Sequence, residues 1–371
     1  MEQQLHDACC KGNTEEVKVL LTNPQIDINF QDIPFLGETP LYIACYNGYI
    51  EIVKLLLENE NVDVNIANYE ETPFFVACKR GHIEVVKLLL NDNRVDINKA
   101  DKYGQTPLYI VCDTERIEIV KLLLNDGRVD VNESTDRGQQ PFWIACERGQ
   151  IEIVKLLLNN GRIDLNMTCQ SQTPFYIACR NRRIEIVKLL LSDERIDINE
   201  PDKYGLTPFH IACENGDIEI VKLLLNDKRI KINGSKSFRL TPLYISCSYG
   251  HVEIVKLLLN DKRIEVNKSI YDGTTPIYVA CQEGYLEIIR YILASGREVN
   301  INVKDKDGKA AIDMTREEAE KEEKRNWEKE ERFQERKRNC TKIIELLESF
   351  ERNPNETRFK LRMEFRLLGN I

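Results

Sequence analysis

Ile50, Val53, Leu56 and Leu57 recur at helical spacing, with Glu51, Lys54 and Glu58 on the wet side, and this pattern predicts an amphipathic helix from Tyr49 or Ile50 to about Glu58. A shorter helix is predicted just before it. Thr39 suits an N-cap and Pro40 the first helical position, where no amide partner is needed. Gly48 supplies the left-handed conformation that stops the helix within about two turns. The segment that follows the pair, NVDVNIANYEE, is rich in Asn and Asp with brief β-branched alternation, and predicts an extended turn or hairpin finger.

The stretch TPLYIACYNGYIEIVKLLL, from Thr39, recurs as TPFFVACKRGHIEVVKLLL from Thr72, TPLYIVCDTERIEIVKLLL from Thr106, TPFHIACENGDIEIVKLLL from Thr207 and TPLYISCSYGHVEIVKLLL from Thr241. Prolines at 40, 73, 107, 141, 174, 208, 242 and 276 set a period of 33 or 34 residues. A lone pair of short helices cannot bury its apolar face, whereas stacked copies share one continuous core. The pattern resembles the ankyrin repeat, whose T-P-L-H-x-A signature stands here as TPLYIAC or TPFHIAC. The resemblance runs from Leu5 to about Met314. LHDACCKGNTEEVKVLLT lacks Thr-Pro and reads as an N-terminal capping repeat, and KDKDGKAAIDM, with Ala310-Ala311 in place of Thr-Pro, as the start of a degraded last repeat. The expected fold is therefore all-α: an ankyrin-repeat solenoid, on the order of 80 Å long, with a charged C-terminal helical extension. The expected divisions are residues 1–314, 315–352 and 353–371.

Charge and cysteine content narrow the picture. The net charge of −9, from 52 basic and 61 acidic residues, gives a mixed surface that argues against nucleic acid as a ligand. No apolar run is long enough to span a bilayer and the N-terminus has no leader pattern, so the chain is expected in the cytoplasm, with the nucleus left open. Nine of twelve cysteines (Cys9, Cys45, Cys78, Cys112, Cys146, Cys179, Cys213, Cys247 and Cys281) share one register and are expected to be buried small hydrophobes. Cys10, Cys169 and Cys340 fall outside it, and Cys169, in a predicted loop, is expected to be the reactive thiol.

Positions that differ between copies point to solvent or to a ligand. The resemblance implies that partners contact the finger tips and the first helix of each repeat, which together form a concave face. The tips include Tyr69, Tyr103, Arg137, Gln170, Tyr204, Phe238 and Asp272. The variable helix pairs include Lys79-Arg80, Asp113-Thr114, Glu147-Arg148, Arg180-Asn181, Glu214-Asn215, Ser248-Tyr249 and Gln282-Glu283. Tyr and Arg dominate interface hot spots. The binding candidates are accordingly Tyr69, Lys79, Arg80, Tyr103, Arg137, Glu147, Arg148, Arg180, Asn181, Tyr204, Phe238 and Tyr249. Arg80, Arg137, Arg148 and Arg180 outline a basic stripe for an acidic partner, which Asp113, Asp136 and Glu147 weaken.

The chain departs from the family motif by placing Tyr42, Phe75, Tyr109, Trp143, Tyr176, Tyr244 and Tyr278 where the motif has His; only His210 keeps it. Each ring is expected to pack on its neighbour with its polar tip on the turn above, the alternative being a ligand platform. Glu115 and Arg182 replace the glycine between helices, and Glu70, Ser171 and Arg239 the finger glycine, so those repeats are expected to be strained or differently shaped. The recurring Asn65, Asn98, Asn132, Asn166, Asn199, Asn233 and Asn267 are expected to satisfy finger backbone groups. The resemblance adds that in related proteins this asparagine can be hydroxylated.

In TREEAEKEEKRNWEKEERFQERKRN, Glu317 to Lys321, Glu320 to Lys324 and Glu328 to Arg332 are i,i+4 pairs that predict a solvated helix over a coiled coil. CTKIIELLESF is expected to supply the second helix of the last repeat. In the final segment Asn353, Pro354 and Glu356 predict a helix start, against a strand-like alternation from Phe359 to Leu367. Phe359, Phe365 and Leu367 are expected to cover the end of the stack, with Arg316 to Arg338 solvated. Four scattered histidines and no nucleophile elbow, Walker loop or metal cluster leave nothing to assign to catalysis, a cofactor or a metal. The reading is a monomeric, non-enzymatic module that binds a protein or peptide. The alternative is an adaptor or inhibitor whose tail couples to an effector or lies in the groove.

Overall fold

A computed structural model of the chain describes residues 1–31, 37–233, 239–326 and 328–366. The chain forms two compact units, Met1–Pro174 and Phe175–Ile371. In the first, helices come in pairs: α1 (Glu2–Lys11) with α2 (Thr14–Leu21), α3 (Pro40–Asn47) with α4 (Ile50–Leu57), α5 (Pro73–Arg80) with α6 (Ile83–Leu90), α7 (Pro107–Asp113) with α8 (Ile117–Asn125), and α9 (Pro141–Arg148) with α10 (Ile151–Leu158). The second continues the pattern with α11 (Pro174–Arg180) and α12 (Ile184–Leu191), α13 (Pro208–Asn215) and α14 (Ile218–Asn226), α15 (Pro242–Tyr249) and α16 (Val252–Asn260), and α17 (Pro276–Gln282) and α18 (Leu286–Ala294). It ends in α19 (Ala311–Glu320), α20 (Glu330–Arg352) and α21 (Pro354–Glu364). Within each unit, first helices layer on first helices and second helices on second helices. Among the described residues there is no strand, only isolated bridges at Asn68 to Glu71 and Cys169 to Gln172.

The predicted caps form as drawn. Thr39 Oγ1 accepts from the Tyr42 amide at 3.1 Å, and Thr72 and Thr106 repeat the bond to Phe75 and Tyr109. First helices are buried almost all round, whereas second helices keep an outer face on which Lys54, Lys87, Lys121, Lys155, Lys188 and Lys256 each pair with the glutamate three residues before.

Within each unit, three side-chain ladders tie neighbouring repeats together. The expected aromatic staple is the first. Tyr109 donates to Gln139 Oε1, Trp143 Nε1 to the Gln172 carbonyl at 3.0 Å, Tyr176 to Asp202 at 2.9 Å and Tyr278 to Asp305 at 2.6 Å. The rings are therefore consumed by packing and one bond each, which rules out an open platform. In the second ladder the expected asparagines make two bonds each. Asn98 Nδ2 donates to the Arg128 carbonyl and its Oδ1 accepts from the Asp130 amide, both at 2.8 Å; Asn29, Asn65, Asn132, Asn199, Asn233 and Asn267 grip the next finger the same way. The third ladder was not read from the sequence. Arg94, Arg128, Arg162, Arg229 and Arg263 reach back to carbonyls at the end of the preceding second helix, Leu57, Leu90, Leu124, Leu191 and Leu225, and so satisfy acceptors that a helix terminus leaves open.

Finger length explains the uneven period. Seven steps separate Asn65 from Thr72 and Asn166 from Thr173, against eight from Asn98 to Thr106. The short fingers close over Tyr69-Glu70 and Gln170-Ser171, all four at φ between 47° and 67°, the two-residue turn that needs positive φ at both central positions. The absent finger glycine thus marks a different turn.

The short finger also overturns the expectation for Cys169. It is 4% exposed, its thiol donates to the Arg137 carbonyl at 3.2 Å, and burial pushes its pKa up. Cys10, at 3.7 Å from His6 Nδ1, is the exposed cysteine. The nine register cysteines are buried, and burial pushes the Cys213 thiol up to about 12.

The C-terminal region departs most from expectation. The charged stretch is not one solvated helix. α19 stops at Glu320, and α20 begins at Glu330. Glu318, Glu328 and Arg336 are fully or nearly buried, with the Arg336 guanidinium held between the two carboxylates. The i,i+4 reading failed because the partners lie elsewhere: Glu318 and Glu328 pair with Arg336 across the turn into α20, and Glu317 with Lys309. As expected, Cys340, Ile343, Leu347 and Phe350 of α20 bury in the last repeat. Asn353 accepts from the Glu356 amide and opens α21 as a helix, which packs on α18 and α20. Its buried residues are Thr357 and Leu361; Phe359 is exposed, Phe365 stacks on Tyr291 at 4.1 Å, and Leu367 lies outside the described residues.

Candidate functional site

The finger tips and the exposed ends of first helices carry the predicted candidates. Tyr69, Tyr103 and Tyr204 stand more than half exposed at their tips, with Lys102 and Lys203 beside the last two rings. In DKYG the turn is fixed from below, where Asp101 Oδ1 accepts from the Tyr103 and Gln105 amides at 2.9 Å and leaves the phenol outside. The tips also touch: the Asp136 amide donates to the Tyr103 carbonyl at 3.1 Å. Tyr103 and Arg137 are thereby brought to one cleft of about 450 Å³, with Gln105, Thr135, Asp136 and Gln139. Phe238 lies outside the described residues.

On the first helices the variable residues engage one another laterally. Lys79 pairs with Glu71 of its own finger at 2.6 Å, and Arg80 lies over the Tyr46 ring at 3.8 Å. Arg148 pairs with Asp113 at 2.8 Å, so part of the expected basic stripe is already neutralised. Glu147 is half-buried; burial, with the charges of Asp113 and Glu147 beside it, pushes the Tyr109 phenol up to about 12. Arg180 is exposed and Asn181 half-buried, and the Arg180 carbonyl accepts from Asn215 at 2.9 Å. Tyr249 donates to Glu214 at 2.8 Å while its ring stays half exposed.

One variable pair is not open. Arg325 donates to both oxygens of Glu283, at 2.9 and 2.8 Å, and Arg332 to the Glu283 carbonyl at 3.0 Å. The segment after α19 therefore covers the first-helix position of the α17 repeat. No local sequence signal marks this, because the partners are more than forty residues apart.

No curated protein sequence matches the chain. A solved structure, described as the crystal structure of the ankyrin repeat protein EF0377, is 31% identical, with a TM-score of 0.48, over 51% of this chain and 97% of its own. The family model for ankyrin repeats in three copies matches residues 5–101, 93–169, 162–236 and 209–305, which together take in most of the sequence. The chain belongs to the ankyrin-repeat family.

Proposed function

We propose that this chain binds a protein or peptide, without catalysing a reaction, through finger-tip and first-helix residues of its repeats. Ankyrin repeats are generally protein–protein interaction modules. The observation that carries the reading is the exposure of Tyr69, Tyr103, Tyr204 and Tyr249, at 59%, 57%, 54% and 53%, at finger-tip and first-helix positions, whereas the rings of the staple are buried. Tyrosine offers large rigid contact area at low entropy cost. Arg137, which has no ion-pair partner among the described residues, adds a guanidinium suited to a carboxylate on the partner. The second-helix face, by contrast, carries lysines already paired with glutamates of their own helix.

Site-specific photocrosslinkers at Tyr103, Tyr204 and Tyr249 test the proposal against crosslinkers at Lys121 and Lys188. A shared partner captured from the tyrosine positions alone supports it; capture from the lysine positions alone contradicts it. Arg325 on Glu283 favours a narrower second reading, in which the C-terminal segment limits access to the last repeats. Arg325→Ala then raises partner affinity.

A further inference from the structure

We propose that Asn302 is an open backbone clamp that takes an extended segment of a partner protein. In each described rung of the asparagine ladder one side-chain amide donates to a carbonyl and accepts from the N–H two residues further on, as Asn65 does with the Arg94 carbonyl and the Asp96 amide, both at 2.8 Å. The residue between those two groups is apolar, and buried in Val95 under Asn65, Val129 under Asn98 and Ile264 under Asn233, while Val299 under Asn267 is half-buried. The ladder thus recognises a short extended motif by its backbone, with a β-branched side chain in the middle.

Asn302 occupies the next rung. Its amide nitrogen donates to Asn300 Oδ1 at 3.0 Å, the same local turn that presents Asn98 through Asp96 and Asn132 through Asp130. Asn300 is itself gripped by Asn267, at 2.9 Å. Asn302 is exposed, and among the described residues no hydrogen bond engages its side-chain amide. Where a further finger would lie there is a cleft of about 520 Å³, with Asn300, Ile301 and Asn302 on one wall and Phe350, Pro354 and Arg358 on the other. Ile301 and Phe350 offer the middle residue an apolar seat. A helix cannot present its carbonyl and the N–H two residues on to one amide, so the occupant is extended.

The test uses the full chain and a labelled peptide, DGRVDVN, which copies residues 126–132 and is the segment Asn98 grips internally. A second peptide is identical except for N-methylation of the amide matching Asp130. The account predicts saturable binding of the first peptide below about 1 mM, weakened about tenfold by Asn302→Ala. It also predicts a shift of the Asn302 side-chain resonances, and little binding of the methylated peptide. Asn302→Asp, which keeps the acceptor and loses the donor, falls between. The proposal is overturned if no binding is seen up to that concentration, if Asn302→Ala binds as well, or if methylation has no effect. Self-association abolished by Asn302→Ala would assign the clamp to a second copy and likewise overturn it.

Discussion

Arg336 donates to both carboxylate oxygens of Glu328, at 3.0 and 2.7 Å, and neither side chain reaches solvent. Glu318 closes the other side of the guanidinium, and Lys321 and Arg325 flank Glu318 in turn. The group stands over Gly284, where a Cβ would meet Arg336 Cγ at 2.8 Å. In earlier repeats this place over the turn belongs to the residue that precedes the next second helix, such as His251 over Gly216. Arg336, from inside α20, thus takes that place in the last repeat, and its charge demands the two acids.

Removing one member of such a group leaves buried charge without compensation, so Arg336→Leu is expected to cost about 3–5 kcal/mol. Hydrogen exchange should show the loss in α19 and α20, with α3 to α8 unchanged. Unaltered protection in α19 would mean the ion pairs contribute nothing net.

His210 makes the fold acid-sensitive. It donates from Nε2 to the Leu240 carbonyl at 2.9 Å and its Nδ1 accepts from the Thr207 amide, so it is held neutral; burial lowers its pKa from 6.5 to about 4. The unfolded chain takes up a proton as pH falls through 6.5, and the folded chain only near 4. Stability present above 6.5 is therefore lost as pH falls towards 4, by on the order of 3 kcal/mol. His210→Tyr, which installs the residue of neighbouring repeats, should flatten that part of the denaturant midpoint against pH.

The turn over which His251 lies gives a coupled pair. Gly216 has φ 76°, and an added Cβ would meet the His251 ring at 2.7 Å. Where the turn residue is larger the partner is smaller: Glu115 is followed by Gln150, and Arg182 by Asp217. Gly216→Ala should destabilise by about 1–3 kcal/mol through strain and overlap. Adding His251→Gln should recover part of it. A double-mutant cycle with no coupling would contradict the packing account.

Native thiol labelling should modify Cys10 first. Cys169 should follow only with local opening, because its thiol is buried and bonded to the Arg137 carbonyl. Cys169 reacting ahead of Cys10 would contradict the finger geometry.

The sequence disclosed what recurs. Thr39, Pro40 and Gly48 are local signals repeated until their meaning is plain, and Asn98 sits at a fixed place in its phrase. The arginine ladder recurs just as regularly, at Arg94, Arg128 and Arg162, yet its bonds run back to carbonyls of the preceding repeat, where spacing within one repeat carries no hint. Arg336 was illegible for the opposite reason. It occurs once, in a stretch whose charges also satisfy helical pairing, and only the turn into α20 decides which acids it meets. The face of α21 was decided likewise: Leu361, not Phe359, turns inward because α18 and α20 receive it. At the candidate surface, residue type and exposure at Tyr103 and Tyr204 were readable, whereas the Arg148 to Asp113 pair that trims the basic stripe was not.

The central claim is that finger-tip and first-helix residues bind the partner, and comparative affinity tests it most directly. Once the crosslinked partner is in hand, its Kd should be measured against the intact chain, a Tyr103→Ala, Arg137→Ala, Arg180→Ala variant, and a Lys54→Ala, Lys121→Ala, Lys155→Ala variant. The account predicts a loss of about tenfold or more in the first variant, with its melting temperature nearly unchanged, and a Kd within about twofold of the intact chain in the second. Binding that survives the first set and is lost with the second would contradict it.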